Sequence, residues 1–241
     1  MHKSRKSCPP HLIYSYLFNS KSGGIRRNQE ELGTEGGCAP CGSEYCPPHY
    51  DDNMIVVDIE TTGMDPNKNS MLSIGALEFE NPENTFYEEC RMDDGAVVNN
   101  ISLKINGFTL PEIKDAKKPT SKELLKHFLA WMRPIKDNTI AGDNIWFDIG
   151  FLQENFRRMK VKWPFRKKSV ELHELSPLLA GLPWSLDAVL YNVGIPPRNN
   201  AHNALNDAEL TAEAMARVAA GKNIIRKFSK YPVPAIFRIR K

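Results

Sequence analysis

The run Met54-Ile-Val-Val-Asp-Ile-Glu60 constrains this chain more than any other stretch, because it requires a buried strand to end in two carboxylates. Its β-branched and apolar residues, bounded by polar turn formers, predict a strand from Met54 to Ile59. Along a strand, residues i and i+2 share a face, so Asp58 and Glu60 project together while Ile59 enters the opposite packing layer. Two carboxylates crowded against apolar surface raise each other's pKa, and a bound cation relieves the conflict. The end of this strand is therefore expected to form one wall of a metal site.

Two further acids and a histidine complete the set. Thr139 to Gly142 predicts a second buried strand and Phe147 to Arg158 the helix after it. Asp148 then falls at a strand-to-helix junction, where the sites of α/β sheets gather. Leu205, Ala208, Ala212, Met215 and Ala219 recur at helical spacing with Glu209 and Glu213 off that stripe, which puts Asp207 on a helix. His202 precedes it on a loop or first turn. Four carboxylates are hard oxygen donors that suit Mg2+ or Mn2+ better than zinc. Two such ions can bind the attacking and leaving oxygens of an in-line displacement. An imidazole that titrates near neutral pH can take the proton of the attacking water, the role expected of His202. Taken singly, each residue has a plainer explanation: a solvated strand end, an N-cap, a surface histidine. Asp58, Glu60, Asp148, His202 and Asp207 together, in this order and in fitting flanks, favour phosphodiester hydrolysis.

The rest of the chain supplies scaffold. Ser70 to Glu80 and Thr85 to Met92 predict antiparallel strands joined by a turn at Asn81-Pro82. Ser121 to Met132 predicts a capped helix whose buried face is Leu124, Leu125, Phe128, Leu129 and Met132. Ser169 to Leu172 is a fifth strand, and Ser185 to Asn192 a helix ended by Gly194. The expected class is α/β, a mixed five-stranded sheet flanked by helices.

At these motifs the chain resembles the DEDDh exonucleases, and within them it is similar to the epsilon proofreading subunits of bacterial DNA polymerase III. VDIETTGMDP is similar to the family's first motif, DNIWFDIGFL to its second and HNALNDAELTAEA to its third, with SLDAVL ahead of the third. The likeness runs from about Met54 to Gly221. It implies a ribonuclease H-like fold, 3′-to-5′ polarity, mononucleotide release and two divalent ions. By position Asp58, Glu60, Asp148 and Asp207 match the metal ligands and His202 the general base. Thr61, Thr62 and Gly63 match the turn that accepts the 3′ end, and Phe147 the aromatic before the acid of the second motif; Asn144 joins them as an expected substrate contact. Two departures bear on substrate preference, not on the metal ligands: Asp143-Asn144 stands where the family commonly has His-Asn, and Ser73 where it often has an acid.

The resemblance divides the chain into an extension at 1–53, an exonuclease domain at 54–221 and a basic tail at 222–241. The expected substrate is the 3′ end of single-stranded DNA, or alternatively of RNA or short oligoribonucleotides. No polymerase domain and no clamp-binding pentapeptide are evident, so proofreading would require a polymerase partner. A non-catalytic binding protein on the same fold would lack a ligand, and none is missing.

Charge adds detail. The formal net charge of +3 excludes a polycation that binds nucleic acid wholesale, but basic residues cluster locally. Arg157, Arg158, Lys160, Lys162, Arg166, Lys167 and Lys168 surround Trp163 and Phe165, a pattern that suits a single strand or, equally, a solvated loop anchored by its aromatics. A second run, Lys222 to Lys241, contains Pro232 and Pro234 and is expected to lie along the domain or to reach for phosphates. No apolar run approaches the roughly 20 residues of a membrane helix, so no membrane partner is expected and the protein is expected in the cytoplasm. Residues 1–53 lack periodicity, and Met54 is a plausible true start. Four of five cysteines lie in that extension. The spacing of Cys38, Cys41, Cys46 and His49 matches no established zinc motif, so zinc is not expected there; an interaction role for this arm is the remaining alternative.

Overall fold

A computed structural model describes residues 54–136, 138–198 and 202–238. The expectations for residues 1–53, the cysteine spacing included, lie outside the described residues. Five strands form one mixed sheet: β1 (Met54–Thr61), β2 (Met71–Glu78), β3 (Asn81–Glu89), β4 (Thr139–Gly142) and β5 (Ser169–Glu171), in the spatial order β3-β2-β1-β4-β5. The β1–β2 and β2–β3 pairs are antiparallel, and β1–β4 and β4–β5 are parallel. Among the described residues six α-helices surround it: α1 (Asn100–Asn106), α2 (Leu110–Ile113), α3 (Ser121–Met132), α4 (Ile145–Arg158), α5 (Leu186–Asn192) and α6 (Ala204–Ala220).

The alternation of β1 sorts the core into two layers. Met54 and Val56 pack with α5, α6 and the C-terminal segment, whereas Ile55, Val57 and Ile59 pack with α3 and α4. Asp58 and Glu60 therefore emerge on the α6 side, as the period of two requires. α3 is closed by a reciprocal cap in which Thr120 Oγ1 accepts from the Glu123 amide and the Glu123 carboxylate accepts from the Thr120 amide.

Three expectations about elements need correction. Asn81 and Pro82 belong to β3, and the chain turns at Phe79-Glu80 instead; β3 is an edge strand, where a proline that cannot donate to the ladder is tolerated. α4 begins at Ile145, two residues early, because the Glu171 carboxylate of β5 accepts from the amides of Asn144 and Ile145. Glu213 does not face solvent. It is wholly buried with Arg217, at 2.9 Å, and also accepts from the amides of Ile224 and Ile225. Arg217 in turn donates to the carbonyls of Val193, Phe228 and Tyr231. This fully hydrogen-bonded pair holds the segment after α6 against the domain, where Phe228, Val233 and Phe237 join the core. In the other basic cluster Phe165 is buried and Trp163 packs against Phe156 and Phe165, so these aromatics anchor the loop.

One glycine sets the distance between sheet and helix. Gly75 of β2 pairs with Asp58, and a Cβ there would lie 2.1 Å from backbone atoms of Ala204 and Leu205. Only glycine lets the first turn of α6 rest on the sheet beside Asp58.

Candidate active site

A cleft of about 320 Å³ opens at this end of the sheet, with Asp58, Glu60, Asp148 and His202 among its lining residues. Asp58 and Glu60 come from the last residues of β1. Asp148 comes from the first turn of α4, where its Oδ1 accepts from the Ile59 amide at 2.9 Å. Asp207 comes from the first turn of α6, which opens on Asn203, whose side chain accepts from the Asn206 amide. His202 lies on the loop before it, pinned because its amide donates to the Ile105 carbonyl of α1 at 3.1 Å. Glu60, His202 and Asp207 can each place one ligand atom within 4.8 Å of the others.

The electrostatics are those of a site built for cations. Burial raises Asp58 well above the ordinary carboxylate range, and Asp148, Glu60 and Asp207 push it further. Burial raises Asp148 in the same way, opposed by the Ile59 amide. Glu60 is pushed up to about 8 by burial and then by Asp207. Asp207 is also raised by burial, with Arg198 acting against it. Such a cluster of carboxylates is costly when ionised without counter-charge, and its oxygen donors fit hard divalent ions. His202 is shifted downward by burial and then by Arg198, which keeps its imidazole neutral and able to accept a proton.

Arg198 is absent from the sequence expectations. Its guanidinium donates to Asp207 Oδ2 at 2.5 Å and to Asp187 Oδ1 at 3.0 Å, and lies 3.3 Å from His202 Nδ1. It neutralises Asp207 and ties α6 to the start of α5. A lone arginine four positions before His202 was the available signal, but its partners are identifiable only in three dimensions. Asn106 was missed as well; its amide donates to the Thr61 carbonyl at 3.0 Å and helps lower Glu60.

Of the five expected substrate contacts, Thr61, Asn144 and Phe147 line the cleft. Asn144 does so in a left-handed conformation, φ 53°, which asparagine tolerates. Thr62 is fully buried, and its hydroxyl donates to the Val97 carbonyl and accepts from the Ser70 amide, so its side chain builds the turn. Gly63 also serves the turn: its carbonyl accepts from Thr61 Oγ1, and a Cβ would meet the Asn69 side chain at 2.4 Å.

Comparisons with known proteins agree with this geometry. Residues 55–215 match the exonuclease family model RNase_T. The PolC-type DNA polymerase III of Thermotoga maritima is 28% identical over 169 residues, covering 69% of this chain and 12% of that protein. The DNA polymerase III subunit epsilon of Aquifex aeolicus is 28% identical over 170 residues, covering 70% of this chain and 81% of the subunit. The nuclease domain of 3'hExo, a DEDDh family member solved with rAMP, shares the fold with a TM-score of 0.59 at 19% identity, covering 74% of this chain and 96% of that domain. Among the described residues no helix is long and apolar enough to cross a membrane.

Proposed function

This chain belongs to the DEDDh family of 3′-to-5′ exonucleases, and we propose that it removes nucleotides from the 3′ end of single-stranded DNA with two divalent ions, Mg2+ or Mn2+, and His202 as general base. The observation that carries the reading is the convergence of Glu60, His202 and Asp207 within 4.8 Å, beside Asp58 and Asp148 in one cleft.

Asp58, Glu60, Asp148 and Asp207 would hold the ions. When bound, these would neutralise the scissile phosphate and stabilise charge on the attacking and leaving oxygens. The protein's own groups do the rest. His202, neutral and fixed by the hydrogen bond from its backbone N–H to the Ile105 carbonyl, takes a proton from the attacking water. Thr61, Asn144 and Phe147 contact the terminal nucleotide, and the Thr61–Gly63 turn shapes the end of the cleft, so a strand enters by its terminus. DNA is favoured by the likeness to polymerase III proteins. RNA is the second reading, favoured by the likeness to a nuclease solved with rAMP. This chain spans 12% of the PolC-type relative; a polymerase partner belongs to the same DNA reading, because the similar epsilon protein is a subunit of DNA polymerase III.

The test is degradation of end-labelled single-stranded DNA and RNA with Mg2+, Mn2+ or chelator. Shortening from the 3′ end that stops with chelator supports the reading, and the ratio of DNA to RNA rates assigns the substrate. His202→Ala should lower turnover by about 10²- to 10⁴-fold, the range for a lost general base, with metal binding retained. Turnover unchanged by that substitution would assign the proton to another group.

A further inference from the structure

The cleft also carries an aromatic surface that the chemistry above does not use. Trp184, just before α5, lines it and is 61% exposed. Its indole lies flat on the imidazole of His173, with ring centroids 4.4 Å apart and planes 13° from parallel. His173 is buried on the turn that follows β5, and its Nε2 lies 3.3 Å from Asp143 Oδ1 at the end of β4. Neither of those two atoms completes a hydrogen bond. Burial lowers the His173 pKa and raises that of Asp143 to about 7.

Trp184 is therefore backed on one side by a packed ring and open on the other. Other large apolar side chains are exposed too, and what sets Trp184 apart is that it combines a packed backing with a place on the cleft wall. Here its backing restricts the indole before any ligand arrives, so a stacking partner loses little binding energy to ordering. The open side is continuous with a cleft whose acids suit the cations that would in turn hold a phosphate. The part of a nucleic acid that offers a matching π-face is the base, and in a duplex that face is already occupied by its neighbours.

We propose that Trp184 is a stacking platform for an unpaired nucleobase of the substrate strand, with His173 as its backing and Asp143 bracing His173. This rests on the nuclease reading, because only a nucleic acid brings a base into the cleft with its phosphate. It also gives a purpose to Asp143, which stands where the resembled family commonly has histidine. Selection of single strands or frayed ends follows, since stacking is available to every unpaired base whatever its identity.

The test is binding of a fluorophore-labelled oligodeoxynucleotide to the full chain, with Ca2+ in place of Mg2+ and followed by anisotropy. Trp184→Ala should bind about 5- to 160-fold more weakly, the range for one lost base–aromatic stack, with the loss appearing in KM more than in kcat. Trp184→Phe should restore binding to within about threefold. An oligonucleotide made abasic at its three 3′-terminal positions should bind the unaltered protein as weakly as the intact one binds Trp184→Ala. Equal binding of abasic and intact strands by the unaltered protein overturns the platform, and needs no variant to fold. Mn2+-dependent hydrolysis of bis(p-nitrophenyl) phosphate, which has no base, separates the two ideas. If it is present and abasic strands bind normally, the platform alone fails; if it is absent, the nuclease reading fails with it.

Discussion

Gly75→Ala tests whether the sheet-to-helix contact sets the catalytic geometry. The added methyl would lie 2.1 Å from Ala204 C and Leu205 N, and 2.3 Å from Ala204 O. All three are backbone atoms in the first turn of α6, so no side chain can rotate away. To move from 2.1 Å to ordinary contact at 3.4 Å, the end of the helix must retreat by about 1.3 Å, because the close-packed interior has no void to absorb the methyl. Overpacking of this kind costs about 1–3 kcal/mol. The gain of about 0.4–1 kcal/mol from a less flexible unfolded chain offsets only part of it. At about 2–4 °C per kcal/mol for a domain of this size, the melting temperature should fall by several degrees. The larger effect should be on rate. Asp207 rides on this turn and His202 on the loop that enters it, and a 1 Å displacement of catalytic groups costs about 10²-fold. Differential scanning fluorimetry and single-turnover cleavage of a labelled oligonucleotide read the two effects separately. A variant with the melting temperature and turnover of the unaltered protein would refute the argument that Gly75 holds these residues in place.

Asp148→Asn and Asp148→Ala should both abolish cleavage, but only the alanine should also lower stability, by about 1–3 kcal/mol, because it orphans the buried Ile59 amide; equal melting temperatures would argue against that bond. Stability in chelator should fall as pH rises from about 4.5 to 8, because Glu60 keeps its proton up to about 8 when folded and releases it near 4.5 when unfolded. The folded state binds more protons in that window, so the slope is negative, whereas Mn2+ affinity should rise with pH as the carboxylates are freed. A melting series with EDTA and a titration series with Mn2+ check both signs, and a flat EDTA curve would exclude the shift. Arg198→Gln should bind Mn2+ more tightly than the unaltered protein in calorimetry without substrate, since the guanidinium competes for Asp207. Weaker binding would mean instead that Arg198 is needed to hold Asp207 in position.

Much of the fold was legible because its signals are local. The alternation of Met54–Glu60 puts two acids on one face whatever the rest of the chain does, and β4, α3 and α6 follow from short periodic runs with clear caps. The order of Asp58, Glu60, Asp148, His202 and Asp207 carried the site. Its surroundings were less legible. Glu213 looks like a solvent-facing position on a helical wheel, yet α6 is buried on nearly all sides between the sheet and the C-terminal segment, where Arg217 neutralises it. Trp163 and Phe165 suit a binding strip by composition, and packing against Phe156 and Phe128 makes them anchors of the loop.

What the sequence determined by itself is the chemistry available: acids at period two on a strand, a third opening a helix, a fourth on a helix behind a histidine. Residue type and spacing are sufficient there, because strand and helix geometry translate them directly into faces. Tertiary structure decided how those groups are held and what surrounds them. Glu171 caps α4 from 26 positions away, Gly75 admits α6 to the sheet, Arg198 bridges Asp187 and Asp207, and His173 backs Trp184. Each of these depends on a distance between residues far apart in the chain, and only the packed sheet and helices define such distances.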